Sequence, residues 1–221
     1  MTDAHPWFIN LSVVPYTSDI GRFLTIPARL PLVNKREWRL VYVGQLIERK
    51  GLIKFIEHIV KFMETRSDIE LIITLIGEGY LKKELKEKPM PSNTHLKVIG
   101  QIAHDELYKY LIDQDVFFLP SLADTWATVI NEAMAAGLPI LGSIRSQAVE
   151  ELVQEGVNGW IYDPLDSASV SLALNRCFEN RSSYNEMGRM ARICATAITP
   201  QNIADRIEFI IDECSSSATN L

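Results

Sequence analysis

Apolar positions follow two patterns that alternate along the chain. Short continuous apolar runs occupy residues 39–44, 70–77, 95–100, 116–120, 138–142 and 159–163, and most end in Gly or Pro. Runs of that length and continuity predict strands covered on both faces. Between them the apolar spacing lengthens to that of a helix. Leu52, Phe55, Ile56, Ile59, Val60 and Met63 form one stripe over residues 51–66, as an amphipathic helix requires. Shorter helical patterns fall at 104–114, with Leu107, Tyr110 and Leu111 inward, and at 128–136, 147–154 and 167–178. Strand–helix alternation with short connections predicts an α/β fold: a single Rossmann-like, doubly wound parallel sheet of about six strands with helices on both faces. Ligands of such sheets bind outside the carboxyl ends of the strands. Gly44, Gly77, Gly100 and Pro120 fall there.

The ends depart from this alternation. Residues 1–38 carry Pro6, Pro15, Pro27 and Pro31 and read as a lead-in segment. Residues 39–180 hold the alternating body. Residues 181–213 predict two further helices separated by Thr199-Pro200, and the polar residues 214–221 predict a disordered tail.

A chain of 221 residues with 47% hydrophobic content can bury one good-sized core. A net charge of −6 gives no electrostatic footprint for nucleic acid, and no apolar run reaches the roughly 18 residues of a membrane span. The first residues lack the basic and apolar regions of a secretory signal. Cys177, Cys194 and Cys214 are odd in number and show no Cys-x-x-Cys spacing, which fits reduced thiols in a cytoplasmic protein. His5, His58, His95 and His104 are scattered without metal-ligand spacing, so no metal is expected.

Candidate chemistry concentrates in two places. Residues 120–139 run from the end of an apolar strand through an amphipathic helix to a Gly-x-Pro stop, and carry Asp124 and Glu132 eight positions apart. Two carboxylates aimed into one crevice suit a polyhydroxylated ligand, because each accepts hydrogen bonds from paired hydroxyls. Asp124 could equally be a helix cap and Glu132 an exposed helix residue. The small residues Ala133, Ala135, Ala136 and Gly137 allow close helix–sheet approach and favour the site reading. The second place is Gly44 to Gly51. Lys50-Gly51 opens the first long helix, where free amides and the macrodipole attract an anion such as a diphosphate. A solvated turn is the plain alternative. The Rossmann Gly-x-Gly-x-x-Gly and the Walker Gly-Lys-Ser/Thr patterns are both absent.

These residues resemble the C-terminal, donor-binding domain of retaining family-4-type glycosyltransferases of the GT-B fold. Pro120, Ser121, Glu132, Ala133, Met134, Ala135, Gly137 and Pro139 match that family's acidic motif. Tyr42 to Gly44, Lys50-Gly51, Ile76 to Gly79, Val98 to Gly100, Asp115 to Ser121 and Glu155 to Gly159 extend the likeness over roughly residues 12–212. The resemblance implies a nucleotide-diphosphate sugar as donor substrate, UDP- or GDP-linked, with no cofactor and no metal. It places Glu132 on the donor ribose, Asp124 on the sugar and Lys50 on the diphosphate, with Asp124 and Lys50 the catalytic pair. Gly44, Gln45, Gly77, Gly100, Ile102, Thr125, Trp126, Ala127 and Thr128 complete the implied donor site. It also implies transfer of a hexose, with retention, to a glycan or lipid-linked acceptor.

Several positions depart from the family pattern. Asp124 stands for a Glu, Gln45 for a frequent Arg, Thr125-Trp126-Ala127 for Gly-Phe-Gly, and Gln147-Ala148 for a Gly-Gly pair. Full-length relatives carry an N-terminal, acceptor-binding domain that this sequence lacks. Residues 11–23 resemble the interdomain linker. The acceptor half is therefore expected in another chain or in a missing segment, and this half alone is expected to transfer weakly or not at all. The last helix, with Ile203, Ile207, Ile210 and Ile211 on one face, would reach the other half or self-associate. The expected location is cytoplasmic, with attachment to the inner membrane only through the missing half. Two other readings remain: a non-catalytic module that binds a nucleotide sugar or docks on a partner, and a flavodoxin-like receiver. The receiver would need an acidic cluster at the first strand end, which Gly44-Gln45 does not supply.

Overall fold

A computed structural model describes residues 14–27 and 36–218. Six strands form one sheet: β1 (Glu37–Val43), β2 (Glu70–Ile76), β3 (Thr94–Gly100), β4 (Val116–Leu119), β5 (Ile140–Ser143) and β6 (Gly159–Tyr162). All neighbours pair in parallel, in the order β3-β2-β1-β4-β5-β6. The expected doubly wound sheet is therefore present. Its strand order reverses between β1 and β4, where only Leu40–Val116 and Val41–Phe117 pair.

Nine helices are described: α1 (Gly21–Leu24), α2 (Leu52–Met63), α3 (Lys82–Glu87), α4 (Leu107–Leu111), α5 (Val129–Ala135), α6 (Gln147–Leu152), α7 (Ser167–Glu179), α8 (Tyr184–Ala197) and α9 (Pro200–Ala218). The α2 stripe is buried as its spacing demands, with Phe62 fully inward where Val60 was expected. Phe55 stacks on Phe118 of β4 and Tyr162 of β6, with ring centroids 5.1 and 5.4 Å apart. On the same helix Phe62 meets Trp38 of β1 and Phe178 of α7, at 5.9 and 5.6 Å. These offset and edge-on aromatic contacts fix α2 and α7 on the sheet.

The two helices expected on either side of Thr199-Pro200 are present as α8 and α9, and four regions add to or differ from the sequence pattern. First, α3 is absent from the apolar pattern, because Lys82 to Glu87 holds one inward residue, Leu85. Second, the lead-in is not separate from the body. Ile20, Phe23 and Ile26 are buried in the core, and Thr17 Oγ1 donates to the Ile198 carbonyl at 2.7 Å. Residues 1–13 and 28–35 of that segment lie outside the described residues. Third, α8 belongs to the core, since the buried Tyr184 hydroxyl accepts from the Trp38 indole at 3.0 Å and donates to the Cys177 carbonyl at 2.9 Å. Fourth, the expected disordered tail continues α9 as far as Ala218. Helix propagation adds one bond per residue once begun, and Ser215 Oγ donates back to the Ile211 carbonyl at 2.8 Å. Of the α9 apolar face, Ile203 is buried while Ile207 and Ile211 are exposed. Cys177 is buried, Cys194 half-buried and Cys214 exposed, all as free thiols.

Backbone approach positions the crevice. Gly51 takes a left-handed φ of 68°, and a Cβ there would lie 2.1 Å from the Pro120 carbonyl oxygen. Gly156 has a similar φ of 75°, but a Cβ there meets nothing within 4 Å. The pair separates two costs. Gly156→Ala should lose about 1–2 kcal/mol from conformation alone. Gly51→Ala should lose at least about 3 kcal/mol, because backbone must also move. Urea denaturation of both variants measures the difference, and equal losses would remove the close approach from the argument.

Candidate active site

The carboxyl ends of β1 and β2, with the loops after β3 and β4, enclose a crevice of about 590 Å³. Main-chain bonds carry the sheet ladder past the strand ends. Gly44 N donates to the Ile76 carbonyl at 2.9 Å, Gly77 N to the Gly100 carbonyl at 2.8 Å, and Leu46 N to the Glu78 carbonyl at 2.8 Å. Gly77 is needed there, since a Cβ would stand 1.9 Å from the Gly44 carbonyl oxygen. The buried Tyr42 hydroxyl donates to the Gln45 carbonyl at 2.8 Å. Burial, and then the charge of Asp124, push the Tyr42 phenol up, so it stays a neutral donor.

The crevice gathers ten of the twelve residues singled out in the sequence: Gly44, Gln45, Lys50, Gly77, Ile102, Asp124, Trp126, Ala127, Thr128 and Glu132. Gly100 and Thr125 do not line it. Gly100 acts through its carbonyl, which accepts from Gly77, and Thr125 is exposed. The crevice also takes in Glu78 and Gln101, from the loops after Gly77 and Gly100 that the resemblance places beside the nucleotide, and Val43, Ile76, His104, Leu107 and Val129, which sequence reasoning did not single out. Most of these are apolar or sit next to a chosen glycine, so only their position beside Gly77 or Gly100 could have marked them.

Lys50 lies in a 3-10 turn, Glu48–Lys50, at the start of α2. That turn is bound to the loop after β4: Leu122 N donates to the Arg49 carbonyl at 2.9 Å, and the Arg49 guanidinium to the Ala123 carbonyl at 2.7 Å. Lys50 Nζ thereby pairs with Asp124 Oδ2, the two side chains being 12% and 7% exposed. Ser121 Oγ adds a 3.3 Å bond to the same oxygen. Asp124 is no helix cap: its main chain bonds to Arg145 and Gln147 across the loop, and α5 begins after Thr128.

Glu132 is not an exposed helix residue either. It sits on the inner face of α5, its side chain 8% exposed, with Oε1 3.0 Å from His104 Nε2. Burial holds its carboxyl above the usual carboxylate range, and the His104 hydrogen bond and charge partly oppose this. Glu78, at the rim, is pulled the other way by its 2.5 Å bond from Lys82. The site therefore offers one cation at a helix start, a buried acceptor, and an apolar lip of Ile76, Ile102, Leu107 and Val129. An anionic group, a diol and a flat ring would each find a matching wall. Among the described residues no group of three or more His, Cys, Asp or Glu could hold a metal ion, and no helix is long and apolar enough to cross a membrane.

Fold and crevice define a doubly wound α/β domain whose site opens where the strand order reverses. Residues 29–193 match the model of the family described as "Glycosyl transferases group 1". The chain belongs to that family, as a half-domain of the GT-B architecture. It is 29% identical over 176 residues to the amylovoran biosynthesis glycosyltransferase AmsK of Erwinia amylovora, covering 76% of this chain and 42% of that protein. It is 31% identical over 146 residues to a GDP-mannose-dependent alpha-mannosyltransferase of Corynebacterium glutamicum, covering 66% and 32%. The chain thus spans less than half the length of these relatives. Among solved structures, Anabaena HepE in complex with UDP aligns with a TM-score of 0.64 at 20% identity, over 82% of this chain and 50% of that one. The C-terminal domain of the group 1 protein LpcC from Francisella tularensis aligns at 0.58 and 16% identity, over 72% and 85%.

The raised carboxyl of Glu132 has a consequence for stability. A carboxyl with a higher pKa folded than unfolded favours folding while protonated. Stability then falls as pH rises from the unfolded value near about 4.3 through the folded one. Glu132→Gln removes that cost. The variant should be more stable than the wild type at neutral pH, with the gain vanishing below about pH 4. Urea midpoints at the two pH values test this, and a gain that persists in acid would contradict it.

Proposed function

We propose that the chain is the donor-binding half of a retaining glycosyltransferase that takes a hexose from a nucleotide-diphosphate sugar. The observation that carries this reading is the convergence of Lys50, Asp124 and Glu132 on one crevice at the sheet's reversal. Lys50 and the amino end of α2 suit the diphosphate, Glu132 the ribose diol, and Asp124 the sugar. The apolar lip suits the base. Relatives named for GDP-mannose and neighbours solved with UDP support a UDP- or GDP-linked donor. The acceptor, a glycan or lipid-linked sugar, would be held by a second domain across the crevice mouth, since the matched stretch covers only 42% and 32% of these relatives.

In transfer, the bond from the sugar C1 to the diphosphate oxygen breaks and its electron pair leaves with the diphosphate. The acceptor hydroxyl oxygen bonds to C1, and its proton passes to the departing diphosphate oxygen. Negative charge grows on the leaving group, which Lys50, at the positive end of α2, is placed to stabilise. Asp124 holds the Lys50 ammonium in place until phosphate oxygens share it.

Calorimetric titration with UDP, GDP and ADP tests the reading. One nucleotide should bind. Lys50→Ala should weaken it by about 1–3 kcal/mol, the scale of a charge-assisted contact, and Glu132→Ala should weaken it comparably. Affinities unchanged in both variants would sink the assignment. Addition of an acceptor-binding domain should then bring transfer; nucleotide binding without transfer would favour a non-catalytic binding module.

A further inference from the structure

His104 lines the crevice and touches Glu132, but it has no role in the proposed donor site. It opens the 3-10 turn His104–Glu106 that follows β3. Its side chain is 62% exposed, yet its ring is held from two sides. Nε2 lies 3.0 Å from Oε1 of Glu132. On the other side Phe23 of α1, 1% exposed, meets the imidazole edge-on at 5.7 Å between centroids. The turn itself is pinned from α1, where the Arg22 guanidinium donates to the Asp105 carbonyl at 3.1 Å and faces the Asp105 carboxylate at 3.6 Å.

A Glu carboxylate turns freely about its last bond, whose torsion is broad and two-fold. It offers about four lone-pair directions. Anchoring one oxygen removes that rotation and leaves the other oxygen, with the spare lone pair of the first, directed elsewhere. Two vicinal hydroxyls need this arrangement: a carboxylate of fixed plane with two acceptors in register. An acceptor fixed before the ligand arrives loses less freedom on binding.

We propose that His104 is a positioning residue for nucleotide recognition, which holds Glu132 in the orientation that grips the ribose diol and is itself held by the lead-in helix through Phe23. The inference rests on the assignment of the crevice to a nucleotide sugar. His104 acts through Glu132 and so affects discrimination for the diol, not general affinity.

Calorimetry on the 221-residue chain compares UDP and GDP with their 2′,3′-dideoxy forms in the wild type, His104→Ala, His104→Gln and Glu132→Gln. His104→Ala should weaken the ribonucleotide about five- to tenfold and the dideoxy form less than about twofold, so the preference for ribose falls. His104→Gln, whose amide can donate to the same oxygen, should restore most of that preference. Equal weakening of ribo and dideoxy forms in His104→Ala would mean a loosened turn and overturn the proposal. An unchanged ratio beside a Glu132→Gln variant that has lost discrimination would overturn it while leaving the nucleotide assignment standing. A wild type that binds no nucleotide, or binds both forms alike, would remove the assignment and the role of His104 with it.

Discussion

The crevice depends on the backbone of Gly51 lying against the carbonyl of Pro120. At a reversal of strand order the segments leaving the two central strands diverge, and here β1 and β4 pair through only two residues each. Nothing in the sheet ladder would keep the turn after β1 near the loop after β4. The approach at Gly51, the Leu122–Arg49 main-chain bond and the Arg49–Ala123 bond do so. Lys50 and Asp124, 74 residues apart in the chain, meet as a result.

That meeting sets the site's electrostatics. Lys50 is the sole Lys or Arg among the residues lining the crevice, which also include the carboxylates Glu78, Asp124 and Glu132. Glu78 has its own cation in Lys82. Glu132 is moderated by a hydrogen bond from an imidazole and otherwise bears the cost of burial. Asp124 is matched by Lys50. A partly buried ammonium without a partner would cost several kcal/mol by the usual scale of broken ion pairs. The pair therefore lets the fold hold a cation ready at the amino end of α2 without leaving it bare. Although one methylene shorter than a Glu, Asp124 reaches both Lys50 and Ser121 while its main chain stays bonded to Arg145 and Gln147.

The sheet was legible in the sequence because a parallel strand buried on both faces leaves a continuous apolar run; all six runs became strands, although β3, at the sheet edge, has one face exposed, with His95, Lys97 and Ile99 outward. The glycines at the strand ends were legible for a related reason. Where backbone must touch backbone only one residue type fits, as at Gly51 and Gly77. Local charge and apolar spacing carried less. The helix Lys82–Glu87 commits a single leucine to the core, which no periodicity can register. Ser215 and its neighbours read as a tail by composition, although the preceding helix carries them along.

The partners of side chains were the least legible part, and the reason is topological. Glu132 was found through its place in a motif, but its bond to His104 spans 28 residues and joins α5 to the turn that follows β3. A lone histidine in a polar turn has no local signature. Its support by Phe23 depends on the lead-in folding back over the loop after β3, and Phe23 was only an apolar residue in a proline-rich segment. Motifs report what the local backbone must do, whereas orientation of a functional carboxylate is set by contacts that only the completed crossover brings together. Segments outside the alternating body therefore belong to the site as much as the strand ends do. The path from Phe23 to His104 to Glu132 is a physical route by which the position of the lead-in reaches the Glu132 carboxylate.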